Sequence, residues 1–305
     1  MKVAIAGAGA MGCRFGYMLA DSGVDVTLID GWKTHVDAIN QQGLFVETER
    51  GSRHYSLPAM LAEDAHGEFD VVILFTKAMQ MAEMLQKIAP VLASAKVVMT
   101  LSNGLGNIET LEQYVDRSVI YAGVTLWSCE LEGPGHIRAT GSGNIELQPL
   151  MSTDMTTAGR LVEMLNHAGL NAELSANVLL SIWKKAAFNS VMNTYCALLD
   201  CNVGGFGRRP DALEMARTVV REIVQVARSQ QIPLTEEMVM HTVQKVFDPR
   251  ESGEHYPSMH QDLHKGRLTE IDYLNGAVAR MGEAQGIPVP VNRLLTQLIH
   301  AKEAQ

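Results

Sequence analysis

Lys185, Asn189 and Asn193 recur every four residues in the stretch that begins Trp183-Lys184-Lys185-Ala186-Ala187-Phe188-Asn189. On an α-helix that spacing lines one stripe. The surrounding Ile182, Ala186, Ala187, Val191, Met192 and Ala197 are apolar, so the helix is expected to be buried on several sides. A lysine and two asparagines on such a helix are costly unless they have partners. One reading is a solvated face, or asparagines that satisfy backbone groups. The preferred reading is a stripe that faces a ligand, where desolvation lowers the lysine's hold on its proton and lets it act as an acid.

A second group lies further along, in Pro257-Ser258-Met259-His260-Gln261-Asp262 followed by Arg267-Leu268-Thr269-Glu270-Ile271-Asp272. Thr269-Glu270 reads as the opening of a helix. Glu270 there either complements the helix dipole or serves as a functional carboxylate. The segment before it is read as a loop and carries His255, His260 and His264. Their spacing is not HExxH and no cysteine accompanies them, so no metal site is expected.

The third group opens the chain. A short apolar run, Val3 to Ala6, leads into Gly7-Ala8-Gly9-Ala10-Met11-Gly12, and a helix is expected from Cys13 to Ser22. Strand, Gly-x-Gly-x-x-Gly and helix together let a backbone approach a pyrophosphate and aim a helix N-terminus at its charge. In that reading Gly7 makes the tight turn, Gly9 leaves room for the phosphates, and Gly12 lets helix and strand pack closely. Ala10 and Met11 fall in the same loop. Asp30 closes the next apolar run, Val24 to Ile29, and stands 18 residues past Gly12, close to the offset at which an acidic residue meets a ribose. The bland alternative is a glycine-rich turn that binds nothing.

These groups need elements to position them. Apolar runs Val3–Ala6, Val24–Ile29, Val71–Phe75 and Val97–Leu101 resemble buried parallel strands. Helical stretches at Cys13–Ser22, His35–Gln42 and Met79–Leu92 alternate with them, which argues for a doubly wound sheet. Two of the strands end in Thr76-Lys77 and Ser102-Asn103-Gly104. In an open parallel sheet ligands bind beyond the carboxyl ends of the strands, so Lys77 and Asn103 fall at the expected rim, although strand ends often carry polar turn residues without function. Residues 43–57 look like an inserted hairpin. Val119–Trp127, His136–Thr140 and Asn144–Leu147 look like antiparallel strands appended to the parallel set. Beyond Pro149 the pattern is helical: Met155–His167, Val178–Asp200, Pro210–Gln231, Thr235–Phe247, Thr269–Gln285 and Asn292–Lys302, with an extended piece at Gly169–Leu174. The expected class is therefore an α/β N-terminal Rossmann-type dinucleotide-binding domain, residues 1–170, followed by an all-α C-terminal substrate and catalytic domain, residues 171–305.

Composition narrows the partners. The 305 residues are 47% hydrophobic and 19% charged, ordinary for a globular chain long enough for two domains. A net charge of −9 argues against nucleic-acid binding by phosphate neutralisation. The four cysteines, Cys13, Cys129, Cys196 and Cys201, have neither metal-site nor disulfide-framework spacing and read as thiols in a reducing compartment. With no apolar stretch of transmembrane length and no signal-like start, no membrane partner and a cytoplasmic location are expected. The apolar helices beyond residue 175 can bury faces within one chain or against a second, and a homodimer is the assembly toward which they lean.

Together the motifs resemble the ketopantoate reductase (2-dehydropantoate 2-reductase) family over nearly the whole chain. The resemblance rests on Gly7-x-Gly9-x-x-Gly12, Thr76-Lys77-Ala78-x-Gln80, Ser102-Asn103-Gly104-Leu105-Gly106, Trp183-x-Lys185-x3-Asn189-x3-Asn193, and Ser258-Met259-x-Gln261-Asp262-x7-Glu270-Ile271-Asp272-Tyr273-x-Asn275-Gly276. It implies NAD(P)H-dependent reduction of 2-dehydropantoate to (R)-pantoate. It implies Lys185 as general acid with Glu270 beside it, and Asn103, Asn189, Asn193 and Ser258 as substrate-binding residues. Gly7, Gly9, Ala10, Met11, Gly12, Asp30, Lys77 and Asn103 are implied to bind the cofactor. One departure stands out: members that use NADPH usually carry an arginine just beyond the second strand, where this chain has Asp30, followed by Gly31-Trp32-Lys33. A carboxylate suits ribose hydroxyls and repels a 2′-phosphate, so NADH is favoured, with Lys33 as a partial counterweight. The same resemblance admits a D-2-hydroxyacid dehydrogenase acting on other branched or aromatic 2-keto acids. A catalytically silent nucleotide sensor is a third reading, one that leaves Lys185 and Glu270 without a purpose.

Overall fold

The apolar runs of the N-terminal half become the centre of a sheet because both of their faces are covered, as parallel strands require. Strand β1 (Lys2–Ala6) lies between β2 (Asp25–Asp30) and β6 (Val71–Leu74), parallel to both, with Ile5 opposite Leu28 on one side and Ile73 on the other. The computed structural model describes residues 1–151, 155–248, 250 and 253–304. The chain divides into one compact unit of residues 1–102 and 107–178 and a second of residues 103–106 and 179–305.

In the first unit, α1 (Ala10–Asp21) follows β1, α2 (Lys33–Gln42) follows β2, and an excursion of β3 (Leu44–Thr48) and β4 (Gly51–Tyr55) returns to the edge strand β5 (Ala59–Leu61). Beyond β6 come α3 (Met81–Lys87) and α4 (Ala89–Leu92), which replace the single helix expected over 79–92 because Pro90 lacks the amide to continue it. Next are β7 (Val97–Thr100), α5 (Asn107–Leu111), β8 (Ile120–Thr125), β9 (Glu130–Gly133), β10 (His136–Arg138), β11 (Ile145–Pro149), α6 (Met155–His167) and β12 (Ala172–Leu174). The main sheet runs β12-β11-β8-β7-β6-β1-β2-β5. Its strand order reverses between β1 and β6, which makes their carboxyl ends the switch point where a ligand crevice opens.

The strand expected over His136–Thr140 does not join the main sheet. As β10 it pairs parallel to β3 and antiparallel to β9, completing a small sheet of order β4-β3-β10-β9; only β11 runs antiparallel to β8 in the main one. The unit boundary also falls later than 170/171. Residues 172–174 pair with β11 at Ile145↔Ala172, so the extended piece is an edge strand of the first unit and not the start of the second.

Among its described residues the second unit contains helices and no strand. It contains α7 (Val178–Leu199, from Leu179), α8 (Val203–Gly207), α9 (Ala212–Ser229), α10 (Glu236–Val246), α11 (Ser258–His264), α12 (Asn275–Ala284) and α13 (Pro290–Glu303). Thr235 caps α10 by accepting the Met238 amide at 3.3 Å. Val191, Phe206, Val219, Ile223, Val278 and Ile299 fill the core. Through that core runs a polar chain. Thr194 donates to Asn275 Oδ1 at 2.8 Å, Asn275 Nδ2 donates to Asn292 Oδ1 at 3.0 Å, and Asn292 Nδ2 donates to Glu222 Oε2 at 2.7 Å. Glu222 also accepts the Val291 and Asn292 amides, both at 2.9 Å, and so supplies the cap and the negative charge that the N-terminus of α13 needs. These bonds fix α7 against α12 and set the rotation of its lysine stripe.

Candidate active site

At the switch point the glycines divide their labour. Gly7 has φ +92°, and a Cβ there would sit 2.5 Å from the Thr76 amide nitrogen. A Cβ on Gly12, already within α1, would sit 2.1 Å from the Gly7 carbonyl oxygen. Both are therefore required by the packing of strand, loop and helix. Gly9 is different: a Cβ there meets nothing within 4 Å. It stands at the N-cap of α1 without a side-chain cap. The first-turn amides of Ala10, Met11 and Gly12 have no i−4 carbonyl within the helix to bond. An open space in front of helical amides fits a pyrophosphate. Thr76, whose backbone lies against Gly7, has its buried Oγ1 without a hydrogen-bond partner among the described residues.

The loop is held from behind by His35, a residue that no sequence motif marks. Nδ1 of His35 accepts the Gly135 amide at 2.9 Å, so Nε2 carries the proton and donates to the Ala8 carbonyl at 2.8 Å. Cys13 donates its thiol to the same carbonyl at 2.9 Å, and burial pushes that thiol well up. Asp30 ends β2 half-buried, and its Oδ1 accepts the Trp32 amide at 2.8 Å. Lys33, the counterweight considered for a phosphate, is paired with Asp37 at 2.7 Å. Lys77 is half-buried just past β6, where Ser102 Oγ donates to the Thr76 carbonyl at 3.0 Å and ties the two strand ends together.

In the second unit the stripe of α7 forms as expected. Lys185 and Asn189 are half-buried and Asn193 is buried. Burial pushes the Lys185 ammonium down to about 8, against the pull of the Glu270 carboxylate, which favours the charged form. Asn193 Nδ2 donates to Ser258 Oγ at 3.4 Å, bringing two of the expected substrate groups together. Glu270 does not open a helix: Ile271–Tyr273 is a 3-10 turn and α12 starts only at Asn275, so the dipole role falls away. Its turn is pinned instead. The Thr269 amide donates to Glu303 Oε1 at 2.7 Å, and Thr269 Oγ1 accepts the Ile271 amide at 3.2 Å. Asn103 belongs to this unit. Within its loop Gly104 has φ +93°, and the Leu105 amide donates to the Tyr273 carbonyl at 2.7 Å. Each unit thus gathers its own set: Gly7, Gly9, Ala10, Met11, Gly12, Asp30 and Lys77 in the first, and Asn103, Lys185, Asn189, Asn193, Ser258 and Glu270 in the second.

A family model described as "Ketopantoate reductase PanE/ApbA" matches residues 3–152, and one described as "Ketopantoate reductase PanE/ApbA C terminal" matches residues 177–303. The chain is 45% identical to the 2-dehydropantoate 2-reductase of Lactococcus lactis subsp. lactis, covering 99% of this chain and 98% of that one. It is 43% identical to the protein of the same name from Streptococcus pyogenes serotype M1, covering 100% and 98%. Among solved structures it is similar to a ternary complex of D-mandelate dehydrogenase with NADH and anilino(oxo)acetate, with a TM-score of 0.96 and 44% identity, covering 100% of this chain and 99% of that one.

Proposed function

The chain belongs to the ketopantoate reductase family, and from that premise we propose that it reduces 2-dehydropantoate to (R)-pantoate with NAD(P)H. The observation that carries the reading is Lys185: an ammonium on a largely apolar helix, brought down to about 8 by burial and steadied by Glu270. An acid with that pKa is mostly protonated near neutrality yet releases its proton readily, which is what a proton donor to a ketone needs.

Bound NAD(P)H supplies the hydride that reaches the 2-keto carbon, and negative charge grows on the carbonyl oxygen as it arrives. Lys185 stabilises that charge and then gives its proton to the oxygen. Glu270 keeps the lysine charged until transfer. Asn103, Asn189, Asn193 and Ser258 orient the keto acid through amides and a hydroxyl, which add no negative charge beside its carboxylate. The first-turn amides of α1 would hold the pyrophosphate, and Lys77, just past the end of β6, would bind the cofactor from that strand end. Asp30 is assigned to the ribose hydroxyls, which favours NADH. The Lys33–Asp37 pair weakens the case for a phosphate there. The free thiols suit work in the reducing cytoplasm, and no helix among the described residues is long and apolar enough to cross a membrane.

The likeness to D-mandelate dehydrogenase favours a second reading, a D-2-hydroxyacid dehydrogenase for other branched or aromatic 2-keto acids. A panel of 2-dehydropantoate, 2-ketoisovalerate, 2-ketoisocaproate and phenylglyoxylate, each with NADH and NADPH at matched concentration, separates the two. The proposal expects the highest kcat/KM for 2-dehydropantoate. A preference for phenylglyoxylate or a simple branched keto acid supports the second reading and sinks the first.

A further inference from the structure

The C-terminal unit contains a side-chain cluster that the reaction does not use. His260 and His264 stand four residues apart on α11, and their ring centroids are 4.3 Å apart. Asp200 is the residue that follows α7, sixty positions before His260 in sequence. Its Oδ1 lies 2.8 Å from Nε2 of His260 and 2.8 Å from Nε2 of His264. One nitrogen from each imidazole and one carboxylate oxygen all fall within 4.8 Å of one another. Asp200 takes a left-handed backbone with φ +50°, a conformation that aspartate tolerates better than most residues.

Two imidazoles and a carboxylate are donors for a borderline transition cation. Metal–ligand distances of about 2.0–2.2 Å place neighbouring donors of a tetrahedral zinc ion roughly 3.3 Å apart. The Asp200–histidine separations therefore need to open by only about half an ångström. The rims of the cluster allow it: the side chains of Asp200 and His264 are 67% and 60% exposed, whereas that of His260 is 10% exposed and anchors the group. An ion enters from solvent and keeps water in its remaining position. Magnesium and calcium, which prefer oxygen ligands, fit this donor set poorly.

We propose that Asp200, His260 and His264 bind a divalent cation of the zinc class, which clips the C-terminal end of α7 to α11. Those two helices carry Asn193 and Ser258, so the ion braces the pair that presents substrate groups. The histidine spacing alone gave no hint of it, because the third donor comes from a distant helix end.

The test is titration of Zn2+ into metal-free full-length protein, without substrate or cofactor, by calorimetry and by thermal unfolding. One saturable site per chain and a rise in Tm are expected, with no rise on adding Mg2+. His264→Ala and Asp200→Ala change exposed side chains and are expected to keep wild-type circular dichroism and, without added zinc, wild-type reductase activity while zinc affinity falls by about 100-fold or is lost. Cys201 adjoins Asp200 in sequence and its thiol is of a type that can ligate zinc, so Cys201→Ser is the control and is expected to retain the site. The proposal is overturned if wild-type protein shows no saturable zinc binding, if His264→Ala and Asp200→Ala bind as tightly as wild type, or if Cys201→Ser alone abolishes binding.

Discussion

The backbone amide of Leu105 donates to the carbonyl of Tyr273 at 2.7 Å, which ties the turn that carries Asn103 to the turn that begins at Glu270. Between them Gly104 has no room for a side chain: a Cβ there would lie 2.6 Å from the same Tyr273 oxygen, at φ +93°. Gly104→Ala is expected to push the two turns apart and displace Asn103 and Glu270 together. Steady-state kinetics should show kcat/KM for the keto acid falling by at least about tenfold, as misplacement by a fraction of an ångström costs in positioned reactions. Unchanged kinetics in a folded variant would mean that the two turns do not act as one.

The glycine loop offers a contrast within four residues. Gly12→Ala sets a Cβ against the Gly7 carbonyl and is expected to lower Tm, at a cost of about 1–3 kcal/mol for overpacking. Gly9→Ala meets no protein atom, so Tm should hold while the Kd for NADH rises by about tenfold or more, equivalent to ~1.4 kcal/mol. Fluorescence titration with NADH checks the second. Normal affinity in Gly9→Ala would show that the space in front of Gly9 is not where the phosphates go.

His35 links the fold to pH. Burial lowers its pKa from 6.5, with Asp30 and the Ala8 bond pulling the other way. The folded protein therefore keeps His35 neutral where the unfolded chain has begun to take up a proton. That stability is complete above about pH 6.5 and is lost as the pH falls below it, with a slope of at most ~1.4 kcal/mol per pH unit. Protonation also ends the acceptance of the Gly135 amide at Nδ1. Urea unfolding at a series of pH values is expected to show this slope in wild type and a shallower one in His35→Gln. Equal slopes would remove His35 from the linkage.

Asp30→Arg replaces a carboxylate that suits ribose hydroxyls with a guanidinium that suits a 2′-phosphate. The ratio of kcat/KM with NADPH to that with NADH is expected to rise by about tenfold or more, the value of one charge-assisted hydrogen bond. A ratio that does not move would count against Asp30 as the selector.

Much of this was legible in the sequence, for identifiable reasons. The central strands announced themselves because parallel strands buried on both faces are continuous apolar runs, and the stripe of α7 because a helix repeats its face every three to four residues. Other features depend on distant partners and leave no local trace. β10 alternates like any strand, and nothing in His136–Arg138 says that it will pair with β3 and not with the main sheet. Glu270 followed Thr269 as a helix start would, yet Thr269 is held by Glu303 and the helix waits until Asn275. His35 and the Thr194–Asn275–Asn292–Glu222 chain lie in otherwise unexceptional helices, and only packing shows that their polar groups face inward.

The pH dependence of kcat/KM for keto-acid reduction, measured for wild type, Glu270→Gln and Lys185→Ala, bears on the proton donor itself. Because the donor must be protonated, the wild-type profile should be flat below about 8 and fall above it, following the pKa to which burial brings Lys185. Glu270→Gln removes the charge that raises that pKa, so its bend should move to lower pH. Lys185→Ala should lose the bend and roughly 100- to 10,000-fold of the rate while still binding NADH. A Lys185→Ala enzyme that turns over near the wild-type rate, with the bend still in place, would contradict the assignment of Lys185 as the acid.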